Sequence, residues 1–150
     1  MPISKDELLK GRDKTYASDY TREVSDNLDK LLIPLNKIRD AYGEPMICNS
    51  GWRPASLNAT VPGAASHSHH VLGLAADFSD IDGKLMTWVL KNLDMMQQLG
   101  IYMEDFSWTP TWCHLQLGAP ASRKRIFVPN SNPPLAPDRW NGQYDAKFNT

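Results

Sequence analysis

The sequence predicts an α+β domain in which a small, mostly antiparallel sheet is flanked by helices. Three observations predict it. Apolar residues recur at helical spacing over two long stretches, short strand-like runs lie between and after them, and a polar loop rich in turn-forming residues interrupts the order. A chain of 150 residues is expected to form one domain over 1–150, with a core at about 21–128 and a Pro-rich extended tail over 129–150.

Residues 4–12 have the pattern of a short leading helix. From about Thr21 to Tyr42, Val24, Leu28, Leu31, Leu32, Leu35 and Ile38 follow at spacings of three and four, the stripe of an amphipathic helix, with Gly43 as its stop. Pro34 lies inside the stripe, so a kink there or a helix in two pieces is expected. Met46-Ile47-Cys48-Asn49 reads as a buried strand leading into the turn Ser50-Gly51-Trp52-Arg53-Pro54. Residues 55–70 read as a loop, with Asn58, Pro62 and Gly63, and a loop of that length inside a domain usually has a task.

Leu74 to Phe78 is the second strand, followed by a helix entered near Asp80 or Asp82. It carries Leu85, Val89, Leu93, Met96 and Leu99 on one face and ends at Gly100. Ile101 to Glu104 and Trp112 to Gln116 form two strands joined by a turn around Thr109-Pro110. The tail from Pro129 to Pro137 holds four prolines; it and the aromatic Trp140 and Tyr144 are assigned no function.

Sixteen Lys and Arg against seventeen Asp and Glu leave a net charge of −1, so no basic field is present to hold nucleic acid. The basic run Arg123-Lys124-Arg125 reads as a solvated strand or loop end. The charged N-terminus has no secretory pattern and no segment has the length of a membrane span, so the protein is expected in the cytoplasm on synthesis, as a monomer. Cys48 and Cys113 are too few for a thiolate zinc site and read as buried thiols.

Three of the four histidines fall in Ser66-His67-Ser68-His69-His70, and Asp77 follows in the apolar run Ala75-Ala76-Asp77-Phe78. A carboxylate there is costly to bury unless it is paired or bound to a metal. The fourth histidine, His114, shares a strand face with Trp112 and Gln116, opposite Cys113 and Leu115. Two imidazoles and one carboxylate would give zinc three ligands and leave a position for water. A hydrogen-bonded core His114, an exposed histidine cluster, or an Asp77 that caps the next helix or pairs with Arg53 are the alternatives.

Ser68-His69-His70-Val71-Leu72-Gly73-Leu74-Ala75-Ala76-Asp77 meets every fixed position of S-x-H-x-x-G-x-A-x-D, and so resembles the zinc D-alanyl-D-alanine carboxypeptidases and related phage endolysins. Ser50-Gly51-Trp52-Arg53-Pro54 resembles that family's S-G-[YW]-R-[SP] turn, and Trp112-Cys113-His114-Leu115-Gln116 looks like its last ligand strand. The likeness covers about residues 28 to 117. It implies Zn2+ bound by His70, Asp77 and His114 at the junction of sheet and loop, with Gly73 and Ala75 small for close packing. Arg53 would hold a peptide carboxylate or carbonyl, Ser68 would support the site, and Gln116 and Trp112 would touch substrate or brace the ligands.

The resemblance further implies metal-assisted hydrolysis, in which a carboxylate moves a proton from water to the leaving amine. The family often places that acid three residues before the last histidine, where this chain has Thr111. Glu104 is the first substitute and Asp105 the second, because strand alternation points only one of them at the site; His67 or His69 would be a spare base. The expected substrate is the bacterial peptidoglycan stem peptide, cut internally in the manner of an endolysin, for example between L-Ala and D-Glu. Such a product would reach the wall through a holin-type lesion or in a virion. D-alanyl-D-alanine carboxypeptidase or dipeptidase activity is the alternative, and a non-catalytic zinc-containing structural or wall-binding module is the alternative of another class.

Overall fold

The longest element is a 21-residue helix whose apolar stripe supplies much of the first half of the core. A computed structural model describes residues 2–61, 68–120 and 122–127, and the expected tail over 129–150 lies outside them. The described chain forms two compact units, one running to Asp77 and the other starting at Phe78.

In the first unit, α1 (Lys5–Leu9) starts at Ser4, whose hydroxyl accepts the Glu7 N–H, and buries Leu8 and Leu9. A short α2 (Arg12–Thr15) follows. The long helix α3 (Arg22–Tyr42) begins at Thr21, whose hydroxyl accepts from Val24, and stops at Gly43 in the left-handed conformation (φ 78°). Val24, Leu28, Leu31, Pro34, Leu35 and Ile38 are its buried face. The two-piece alternative does not hold: Pro34 sits inside one helix, its ring buried among the stripe. Lys5 ties α1 to α3 through Asp29 at 3.0 Å and Ser25 at 2.7 Å, and the Asn36 carboxamide receives Ile3 N–H at 2.6 Å while donating to its carbonyl at 3.0 Å.

β1 (Cys48–Ser50) begins two residues later than the apolar run suggests, and Ile47 is 65% exposed. The stretch read as a loop holds two single-turn helices, α4 (Ala55–Asn58) and α5 (His69–Leu72). Gly73 ends α5 at φ 79°, and a Cβ there would stand 2.9 Å from the Val24 carbonyl, so α5 rests directly on the α3 backbone. Asn27 strengthens that contact by donating to the Leu72 carbonyl at 2.9 Å. β2 (Ala75–Ser79) carries the chain across the boundary of the units.

In the second unit, the single helix expected before Gly100 is two: α6 (Lys84–Leu90) and α7 (Leu93–Leu99). Asn92 separates them because its carboxamide takes the Trp88 carbonyl at 2.8 Å while its own N–H turns to Val89 at 2.9 Å. Leu85, Val89, Leu93 and Met96 remain buried, so the apolar period survives the break. Asp80, itself buried, accepts from Leu85 and Met86 and starts α6.

β3 (Ile101–Glu104) and β4 (Trp112–Leu117) pair antiparallel with Tyr102 opposite Gln116, while β5 (Ile126–Phe127) joins β3 in parallel. The five strands form one mixed open sheet in the order β1-β2-β4-β3-β5, so the fold is α+β with a parallel edge pair. The basic run corrects its reading: Arg125 is 4% exposed, donates to the Ile101 carbonyl at 2.9 Å and lies 4.0 Å above the Tyr102 ring. No helix among the described residues is long and apolar enough to cross a membrane.

Both cysteines are buried free thiols, and burial pushes the Cys48 thiol up to about 11. The native protein should therefore react slowly with a thiol reagent at pH 8 and release two thiols at once in denaturant; rapid native labelling of Cys48 would contradict its burial. Gly73→Ala should cost about 1–2 kcal/mol for the left-handed backbone alone, plus the collision with Val24, read as a lower urea midpoint.

Candidate metal centre

His70 is placed by a chain of backbone contacts within the first unit. Ser68 caps α5 by accepting the His70 N–H at 3.2 Å, Arg53 N–H donates to the His70 carbonyl at 3.0 Å, and the Trp52 indole donates to Val71 at 3.1 Å. The turn at residues 50–54 is fixed in its own right: Trp52 N–H donates to the Leu8 carbonyl at 2.9 Å and Arg12 donates to Trp52 at 2.9 Å. Any Cβ at Gly51 would run into the Leu8 backbone, so glycine is required for the turn to reach α1. The same residue then presents its carbonyl to His70 Nδ1 at 2.8 Å.

That contact assigns the ring. A carbonyl only accepts, so Nδ1 carries the proton and Nε2 is left as an acceptor 3.3 Å from Asp77 Oδ2. Two acceptors at that distance require a cation between them or a second proton on the ring. Tetrahedral zinc with bonds of about 2.0–2.1 Å sets neighbouring ligand atoms about 3.3–3.4 Å apart, which the His70–Asp77 pair already meets.

On β4, His114 is 7% exposed and makes a T-shaped contact with Phe127, their ring centres 5.9 Å apart. Its Nε2 meets Gln116 Oε1 at 2.8 Å, and the Gln116 amide nitrogen donates to the Gly118 carbonyl at 3.0 Å. His114 Nδ1 lies 3.9 Å from Glu104 Oε2. The strand register explains this, since continuing the β3–β4 pairing by one residue sets Glu104 opposite His114.

One ligand atom each from His70, Asp77 and His114 lie within 4.8 Å of one another, and the three residues are buried or half-buried. Borderline nitrogen and hard oxygen donors in this number suit zinc and leave a coordination position for another ligand.

The other residues singled out in the sequence divide by position. Arg53 is half-buried, donates to Asn58 Oδ1 at 3.1 Å, and has its pKa lowered by burial, which the charge of Asp77 opposes. Asp105 is buried in a turn, where it accepts from Ser107 at 3.0 Å and its N–H donates to Phe127 at 2.7 Å. Trp112 is half-buried at the start of β4, and Thr111, at the family's usual acid position, gives its carbonyl to Asp80 N–H at 2.9 Å. His69 receives the Leu74 N–H on its carbonyl at 2.8 Å, whereas His67 lies outside the described residues. Three participants were not singled out: the Gly51 carbonyl, Asn58 as the anchor of Arg53, and Phe127 against His114. Each of these roles is set by a partner that folding brings near, so none is written in the local spacing of the sequence.

By residue type and ligand atoms, His70, Asp77 and His114 are a group that could hold a metal ion. The family comparison narrows this: a model described as peptidase M15 matches residues 4–114, and the chain belongs to that family of zinc metallopeptidases, which includes the zinc D-Ala-D-Ala carboxypeptidases. No curated protein and no solved structure gave a match.

Glycine at position 51 is testable on its own. Gly51→Ala should displace the turn from Leu8 and loosen the acceptor of His70 Nδ1, giving a protein that melts earlier and binds zinc more weakly; wild-type values for both would contradict the packing described.

Proposed function

We propose that this chain is a zinc-dependent peptidoglycan peptidase that hydrolyses amide bonds within stem peptides in the manner of an endolysin. The observation that carries the reading is the set of ligand atoms of His70, Asp77 and His114 within 4.8 Å of one another, in a chain of the M15 family. These three residues would hold the zinc. When bound, the ion supplies Lewis acidity for a scissile carbonyl and for water.

The proton falls to Glu104. Its carboxylate, on the β3 position facing His114, takes a proton from the attacking water and delivers it to the departing amine. Asp105 is committed to its turn, which supports Glu104 as the acid despite the threonine at position 111. Arg53, steadied by Asn58, holds a carboxylate or carbonyl of the stem peptide through its planar fork. A carboxylate beside the ligand histidine also favours an enzyme over a wall-binding module.

Wild-type protein should retain one zinc, lost on His70→Ala, Asp77→Ala or His114→Ala, as measured by metal analysis after dialysis. Glu104→Gln should keep zinc yet lose about 10²–10⁴-fold in turnover, whereas Asp105→Asn should chiefly lower thermal stability. Mass spectrometry of digested muropeptides should show separated stem peptides. Free D-Ala as the sole product would replace the endopeptidase with a carboxypeptidase, and zinc retention with no turnover on any wall type would replace both with a binding module.

A further inference from the structure

Gln116 is 3% exposed, and both ends of its carboxamide are occupied inside the protein. The amide nitrogen can only donate, and it donates to the Gly118 carbonyl at 3.0 Å. That contact fixes which way round the group lies. Oε1 therefore faces His114 Nε2 at 2.8 Å, and an amide oxygen can only accept, so the proton of the neutral ring belongs on Nε2.

Several neighbours hold this arrangement. Gly118 is itself anchored, donating to the Gly100 carbonyl at 3.1 Å from a backbone at φ 94°. Tyr102 lies opposite Gln116 in the β3–β4 register, its ring covered by Arg125, and the Phe127 ring stands edge-on to His114. Both the acceptor and the ring plane are thus set before any metal arrives.

We propose that Gln116 is a positioning residue that locks His114 as the Nε2–H tautomer, so that Nδ1 is the atom offered to the metal. The inference rests on the zinc reading above. It separates Gln116 from substrate recognition, because the carboxamide has no exposed polar atom to spend on a ligand and acts only through the ring.

Gln116→Met keeps the side chain's length and volume but removes the acceptor, whereas Gln116→Glu keeps an acceptor for Nε2–H and removes the donor to Gly118. Two measurements apply: the zinc dissociation constant by chelator competition, and the ¹⁵N shifts of His114 in the zinc-free protein at a pH where the ring is neutral. Wild type should show Nε2–H alone. Gln116→Met should mix the two tautomers and bind zinc about 10–100-fold more weakly, and Gln116→Glu should restore both properties. Wild-type affinity and tautomer in Gln116→Met would overturn the proposal, as would equal weakness in both variants, which would assign the effect to the Gly118 contact. A wild type that binds no zinc would sink the metal reading instead, leaving the nitrogen shifts to judge Gln116.

Discussion

The centre depends on where two imidazole protons go. Gly51 draws the proton of His70 to Nδ1 and Gln116 draws that of His114 to Nε2, so each ring turns its other nitrogen, an acceptor, toward a carboxylate. An imidazole acceptor facing a carboxylate is repelled unless a cation or a further proton lies between them. The orientation of each ring is set by a group on its far side, one a main-chain carbonyl and the other a buried carboxamide.

Much of the local structure serves that placement. Helix α3 is the platform: Gly73 lets α5 rest on its backbone at Val24 and Leu28, two residues of the apolar stripe, and Asn27 bonds to the end of α5. The turn at 50–54 reaches from α1 to α5, since Trp52 bonds Leu8 and Val71 while Arg53 bonds His70. The glycines here are geometric requirements, one for a close approach and the other for a left-handed end to a helix. In the second unit the β3–β4 register does the comparable work, placing Glu104 and Gln116 at the two nitrogens of one ring.

Chemically, this arrangement divides labour among few side chains. His114 is supported on one nitrogen by a neutral amide and approached on the other by a carboxylate, so the group that orients the ring is distinct from the acid beside it. Asp105, adjacent in sequence, stabilises a turn instead. Burial lowers the pKa of Arg53 and the charge of Asp77 opposes that shift, while Asn58 steadies the guanidinium.

The sequence by itself determined the helix over Thr21–Tyr42, the two strands before and after Thr109-Pro110, the buried thiols, and the ten-residue stretch ending at Asp77, because each is written in local spacing or in residue types with few uses. It did not determine that Pro34 stays within one helix, that Asn92 splits another, or that Arg125 is buried over Tyr102. Those outcomes follow from competition between a side chain and the backbone, or from a partner brought in by pairing. The choice of Glu104 over Asp105 beside His114, and the roles of Gly51 and Gln116, likewise belonged to the tertiary structure. Strand alternation says that neighbours face opposite ways, but only the register with a second strand says which way is toward the ring.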